Sequence, residues 1–311
     1  ISARVFGNLE FSFAIIKIVT IIAFVILVFY LLITNSSTKY GHVSWNNMMI
    51  DGGIFAKGPK GFLLGFQMVI FSFIGVELIG LTAAEAKEPK KTITRAIDQL
   101  PVRIILFYVL AILSILLAIP WTKVSTSSSP FVQALGATGI KNAGSIINFV
   151  VISAAISSTN SFIYSAGRLL FSINYNGKNK ISKHLGKLDH RQLPKNALVF
   201  STVLIALAPL LNLFLKDAFT FISATATSMF LLIWSIMIVT HMTYRKKTPK
   251  NELPTFRMPL YPISDIAVLI FFIAMIIVLL IFPNYRIPMI SAGIIFTVLV
   301  CITHFIQKKS N

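Results

Sequence analysis

An ionisable carboxyl stands inside an apolar run. Glu77 lies within Phe62–Ala84, whose middle reads FSFIGVELIG. A charged group at bilayer depth costs about 2.5–3.5 kcal/mol on insertion scales unless it is protonated or paired. Ser72 and Gly75, close by, are residues that tolerate a break in helical backbone. Inside a membrane such a break survives only where it lines a cavity or is packed by protein. A discontinuous helix with a carboxyl near the midplane is how secondary transporters build substrate sites. The segment therefore predicts both a membrane location and a binding site. Glu77 has two readings: a group that takes up and releases a proton, or a carboxyl hydrogen-bonded to neighbouring helices for structure alone.

Other polar residues in apolar surroundings carry the same double reading. Ser153, Ser157, Ser158, Asn160 and Ser161 give one span a polar face, and Ser157 and Ser161, four apart, share a side. They could line a substrate path opposite the broken segment or simply bond between helices, worth about 0.6 kcal/mol per bond. Thr225, Thr227 and Ser228 stand in the same position in a later span. Lys17 lies about two turns into the first span, near enough to its end to snorkel to the interface. Glu85, Lys87, Glu88, Lys90, Lys91, Arg95 and Arg103 follow the broken segment. They read as a solvated loop or as a gate whose ion pairs break on opening.

The elements that must position these residues are membrane helices. The 311 residues are 56% hydrophobic and 12% charged, about half the charge of a soluble domain, with mean hydropathy +0.81. Eight apolar blocks, each near the roughly 20 residues needed to cross, are expected: Phe11–Ile33, Phe62–Ala84, Ile104–Pro120, Ile146–Leu170, Ala197–Leu215, Ala218–His241, Ile263–Phe282 and Ile287–Ile306. The net charge of +18 does not point to nucleic acid, because the basic residues sit in short loops between blocks. Arg4, the Lys87–Arg103 and Lys178–Lys195 clusters, Arg245–Arg257, Lys308 and Lys309 fall on one side. Fewer, Lys39, Lys57, Lys60, Lys123, Lys141, Lys216 and Arg286, fall on the other. That asymmetry puts both termini in the cytoplasm of a multi-pass cell-membrane protein. The basic loop Asn174–Asn196 is long enough for a short surface helix. One cysteine, Cys301, excludes a disulfide framework, and the five histidines show no ligand spacing, so neither a metal nor a cofactor is expected. The chain opens on Ile1 rather than Met, and the expectation is a start partway through a longer protein.

The stretch GFLLGFQMVIFSFIGVELIGLTAAEAKEPKKTITRAIDQLPVRIILFY resembles the signature of bacterial amino-acid permeases of the amino acid–polyamine–organocation superfamily. INFVVISAAISSTNSFIYSAGRLLFS (Ile147 to Ser172) and EFSFAIIKIV (Glu10 to Val19) continue the resemblance in family order. Within the family, Asn47 to Phe131 is similar above all to transporters of D-serine, D-alanine and glycine, through NMMIDGGIFAKGPKGF and IPW…SPF. Aromatic amino-acid and GABA permeases share much of that stretch.

The resemblance implies an all-α, polytopic fold whose eight spans are the last eight of a twelve-span inverted-repeat transporter. Phe11–Ile33 would be the last helix of the first repeat, Phe62 to His241 the second five-helix repeat, and Ile263 to Ile306 two C-terminal helices. The first four helices, with half of the binding site, would be missing. Phe71, Ser72, Phe73, Ile74 and Gly75 match the family's unwound stretch, where backbone carbonyls take the substrate ammonium and an aromatic side chain covers the site. Lys17 stands where sodium-coupled relatives bind an ion and would tether the family's first helix. The implied activity is secondary active, proton-coupled uptake of an amino acid, with Glu77 and Lys17 in the coupling. No chemical bond changes in such transport, so no enzyme is expected. The alternatives are a fragment without transport activity, or a receptor or regulatory subunit that keeps the fold.

Overall fold

A computed structural model describes residues 3–50, 52–82, 88–125, 128–140, 142–190, 192–215, 217–249, 251–254 and 257–310. Glu85 and Lys87 lie outside these residues, and the side chain of Lys90 is likewise outside the description. Among the described residues the regular structure is helical apart from a small hairpin of two two-residue strands, β1 (Ser37–Thr38) and β2 (Gly41–His42), paired Ser37 to His42 and Thr38 to Gly41.

Among the described residues, seven helices are long and apolar enough to cross a membrane. Much of their apolar surface points outward: Phe149 is 70% exposed and Ile270 62%. Exposure of that extent in runs of Ile, Leu, Val and Phe requires an apolar solvent. Polytopic helical architecture follows.

The chain divides into two compact units. The first holds the chain through Ala56 and Gly80 to Thr202. Its helices are α1 (Ala3–Ile33), the short α2 (Asn46–Met49), α5 (Pro89–Ile104), α6 (Leu110–Ala118), α7 (Pro130–Ala137), α8 (Ala143–Asn174), α9 (Lys180–Leu185) and the start of α10 (Lys195–Ala206). Phe24, Val28, Val43, Leu117, Ala134 and Ile147 form its core, with the Phe24 and Phe131 rings edge to face at 5.3 Å. Asn47, buried, donates from Nδ2 to the carbonyls of His42 and Leu117 and pins α2 to α6. The second unit runs Lys57–Ile79 and from Val203 onward. It contains α3 (Gly58–Phe73), α11 (Ala218–Lys247), α12 (Ile263–Ile281) and α13 (Pro283–Ser310), around Ile70, Leu231, Met275, Leu279 and Met289. α4 (Leu78–Thr82) carries the chain from one unit to the other.

Two expectations are corrected. The charged stretch read as a loop before Arg103 is the helix α5, running on to Ala118 through a π turn at Ile105–Val109. Pro89 opens it, where a missing N–H costs nothing. Ile93, Ala96, Ile97 and Leu100 are half-buried while Lys91, Arg95 and Asp98 are exposed, the signature of an amphipathic helix. The span expected at Ala197–Leu215 is a shorter apolar helical stretch, Lys195–Leu211. α10 stops at Ala206 and a 3-10 turn, Ala208–Leu213, follows. Pro209 explains the stop, since it cannot donate to the α-helical ladder. Seven long helices and one short one thus stand where eight spans were expected.

At the start of α12, Asp265 is fully buried and its Oδ2 meets Nδ1 of His241 on α11 at 2.7 Å. The Arg245 guanidinium stacks over the Tyr261 ring at 4.2 Å, and the His241 ring meets that ring edge-on. A carboxylate suits a helix N-terminus, but burial makes it depend on its partner. His241→Ala strands the carboxylate and is expected to cost about 3 kcal/mol or more. Asp265→Ala leaves an imidazole about a third exposed, which water can serve, and is expected to cost less. Thermal unfolding of the purified protein in detergent measures both; equal losses would contradict the asymmetry.

Candidate functional site

The second unit holds the broken helix. α3 ends at Phe73, the chain turns through Ile74–Glu77, and α4 begins at Leu78. Gly75 has φ +107°, a conformation that only glycine adopts readily. Three-residue turn bonds replace the helical ladder: Ile74 N–H to Phe71 O (3.1 Å), Val76 N–H to Phe73 O (3.2 Å) and Leu78 N–H to Gly75 O (3.1 Å). Gly75 N–H donates to Oε1 of Glu77 at 3.0 Å. The carboxyl two residues on thus satisfies a donor that the break released, as an N-cap side chain would.

The other oxygen, Glu77 Oε2, is buried and has no hydrogen-bond partner among the described residues. Glu77 borders a cavity of about 490 Å³ lined almost entirely by carbon, including Phe66, Phe73, Trp234, Phe271 and Phe272. Of the five residues matched to the unwound stretch, Phe71, Ser72 and Phe73 form the last turn of α3, and Ile74 and Gly75 lie in the break itself. Ser72 Oγ donates to Val69 O at 2.6 Å, and the Phe71 ring meets Phe219 of α11 edge-on at 6.4 Å.

One residue of this unit escaped the sequence reading. Gln67, one turn before Phe71, is 1% exposed and donates from Nε2 to Thr227 Oγ1 at 3.0 Å. The single Thr227 hydroxyl proton serves Ser223 O at 2.9 Å, with Gln67 O the longer alternative at 3.3 Å. The signal was available: an amide amid Phe62–Phe73 is as anomalous as a carboxyl. Thr225 and Ser228 bond back to Phe221 O and Ala224 O of their own helix.

In the first unit, Lys17 Nζ of α1 donates to Ser157 Oγ of α8 at 2.9 Å. Two of the residues singled out from sequence therefore meet. Ser153, Ser157 and Ser165 are buried at four- and eight-residue spacing, and Ser161 between them is half-buried. Ser165 completes a stripe that the spacing of Ser157 and Ser161 could have revealed. Ser158 and Asn160 are exposed. Of the charges after the break, Lys91 pairs with Glu88 at 3.4 Å on an exposed surface.

Gly75→Ala puts a Cβ at φ +107°, a strain of about 1–3 kcal/mol. It is expected to lower thermal stability more than Gly80→Ala, where a Cβ meets open space. Thermal unfolding of the two variants in detergent tests this; equal losses at the two glycines would sink it.

Residues 1–310 match the amino acid permease family. The amino-acid permease AapA of Bacillus subtilis is 39% identical over 96% of this chain and 65% of its own length. The D-serine/D-alanine/glycine transporter of Escherichia coli is 35% identical over 99% of this chain and 66% of its own. The DL-alanine permease SerP2 of Lactococcus lactis is 34% identical over 100% and 68%. This chain thus spans about two thirds of the length of these relatives. The broken, carboxyl-bearing helix and the matched sequence lead to one conclusion: the chain belongs to the amino acid permease family.

Proposed function

We propose that the complete protein is a secondary active permease of the cell membrane that takes up small neutral amino acids together with protons. The break at Ile74–Glu77 carries this reading. It supplies a kink in an apolar helix, turn-bonded backbone, and a carboxyl with one buried oxygen unserved. Relatives named for D-serine, D-alanine and glycine, and for DL-alanine, support D-alanine, D-serine and glycine as leading substrates. A third, from Bacillus subtilis, is named a probable threonine/serine transporter.

In this reading, the Phe71–Gly75 segment receives the substrate's charged groups, and Ser157, Asn160 and Ser161 line its path. Glu77 and Lys17 exchange protons. α1 ends the first inverted repeat, the helices from α3 to α11 form the second, and α12 and α13 follow. The family's first four helices supply the facing half of the site. Both termini of this chain are cytoplasmic, consistent with the excess of basic residues on that side. The span of about two thirds of the relatives' length keeps a second reading in view: a chain that retains the fold without transporting. Saturable, gradient-driven uptake separates the two.

Competition against labelled glycine uptake is expected to show inhibition by D-alanine and D-serine. Inhibition by aromatic or cationic amino acids, with none by the small ones, would overturn the substrate assignment. Glu77→Gln keeps size and hydrogen bonding but cannot titrate. It is expected to flatten the pH profile of uptake in reconstituted vesicles more than it weakens binding. An unchanged profile would reduce Glu77 to its contact with Gly75.

A further inference from the structure

The chain between α8 and α10 is a built platform. Asn174 Nδ2 donates to Leu170 O, Gly177 N–H to Asn174 O, and Asn179 Oδ1 caps α9 by accepting from Ser182 N–H. Asn196, just inside α10, donates from Nδ2 to His184 O at 2.9 Å and ties the far end. Ser182 and Leu185 are buried beneath it. A Cβ on Gly186 would overlap the Asn174 carbonyl, so α9 folds back directly on the end of α8.

The outer surface is basic. Lys178, Lys180, Lys183 and Lys187 are exposed, and none has a carboxylate within ion-pair distance among the described residues. Ile181, 72% exposed, stands among them, and Ile173 at 79% and Tyr175 at 61% precede them at the end of α8.

Its position fixes the environment. α8 has 32 residues, about 48 Å of helix against a hydrocarbon core of about 30 Å, so part of it leaves that core, and the lysines that follow put the emerging part at its C-terminal end. The Phe171 and Tyr175 rings, 5.3 Å apart, mark that end as aromatic pairs mark the membrane–water interface. Ammonium groups with no ion-pair partner among the described residues, held on a hydrogen-bonded scaffold at that level beside exposed Ile181 and Tyr175, match a surface of apolar chains under anionic headgroups.

We propose that the Asn174–Lys195 platform is a docking surface for the headgroups of anionic phospholipids in the surrounding bilayer. Each ammonium near an anionic surface favours it by about fivefold, so lipids touching the platform are selected by charge. The role rests on membrane embedding alone and is independent of transport. The positive-inside rule accounts for lysines in the loop. It requires neither a folded platform nor selectivity among lipids after insertion.

The test uses the protein reconstituted in phosphatidylcholine vesicles containing a minority of phosphatidylglycerol. Spin-labelled phosphatidylglycerol and phosphatidylcholine report the motionally restricted lipid at the protein surface. The expected result is a severalfold preference for phosphatidylglycerol at low salt. It should fall towards parity in Lys180→Gln/Lys183→Gln/Lys187→Gln, survive in the corresponding lysine-to-arginine variant, and weaken in about 1 M salt, where charges are screened within about 3 Å. The salt arm stands even if the glutamine variant fails to fold. Equal restriction of the two lipids in the unaltered protein would overturn the proposal. So would a preference that survives the glutamine substitutions, or one lost equally on Lys246→Gln/Lys247→Gln at the end of α11.

Discussion

A backbone in hydrocarbon must satisfy its own polar groups, and everything about the candidate site follows from how the break in the second span does so. An unserved N–H or C=O at membrane depth costs several kcal/mol. Ile74, Val76 and Leu78 recover short turn bonds, and Gly75 takes its acceptor from the Glu77 side chain. The carboxyl of Glu77 thereby serves the break as an N-cap side chain serves the start of a helix.

Polar contacts hold helices together laterally within each unit. Apolar side chains facing lipid gain little by turning inward, because lipid tails are as apolar as leucine. Specific adhesion then falls to buried and half-buried contacts such as Gln67 with Thr227, Lys17 with Ser157, and His241 with Asp265. Each joins residues more than twenty apart in sequence and lies within one compact unit. Arg286 plays a related part at a helix end. Its Nε and Nη2 donate to the carbonyls of Leu280 and Ile281, which would otherwise close α12 without partners.

Long apolar runs read directly as long helices, because periodicity is unnecessary when all sides face lipid. Gly75 was legible as a place to break, since a glycine beside a buried carboxyl has few other uses. The amphipathic α5 was not, because its charges resembled a loop and its stripe of Ile93, Ile97 and Leu100 was masked by the density of Lys and Arg. Pro209 was present in the apolar run that α10 fails to complete, but run length outweighed it. The partners of Gln67 and Asp265 are tertiary facts. Sequence shows that a polar group in an apolar run needs a partner, but not which helix supplies it. The meeting of Lys17 with Ser157, 140 residues apart, is of the same kind.

The π turn at Ile105–Val109 has its own consequence. Ile93, Ile97 and Leu100 of α5 and Ala111, Ser114, Ile115 and Ala118 of α6 are in phase at 3.6 residues per turn, and on an unbroken helix they would form one stripe. A π turn inserts one residue into the winding, and each residue is worth about 100° of rotation. The stripe is therefore cut in two, and its halves face different directions around a shared axis. A continuous rod serves two environments: a charged, amphipathic stem and a membrane segment whose packed side is set independently. A one-residue deletion in this turn would leave composition and hydropathy almost untouched while swinging one half of the rod away from its neighbours.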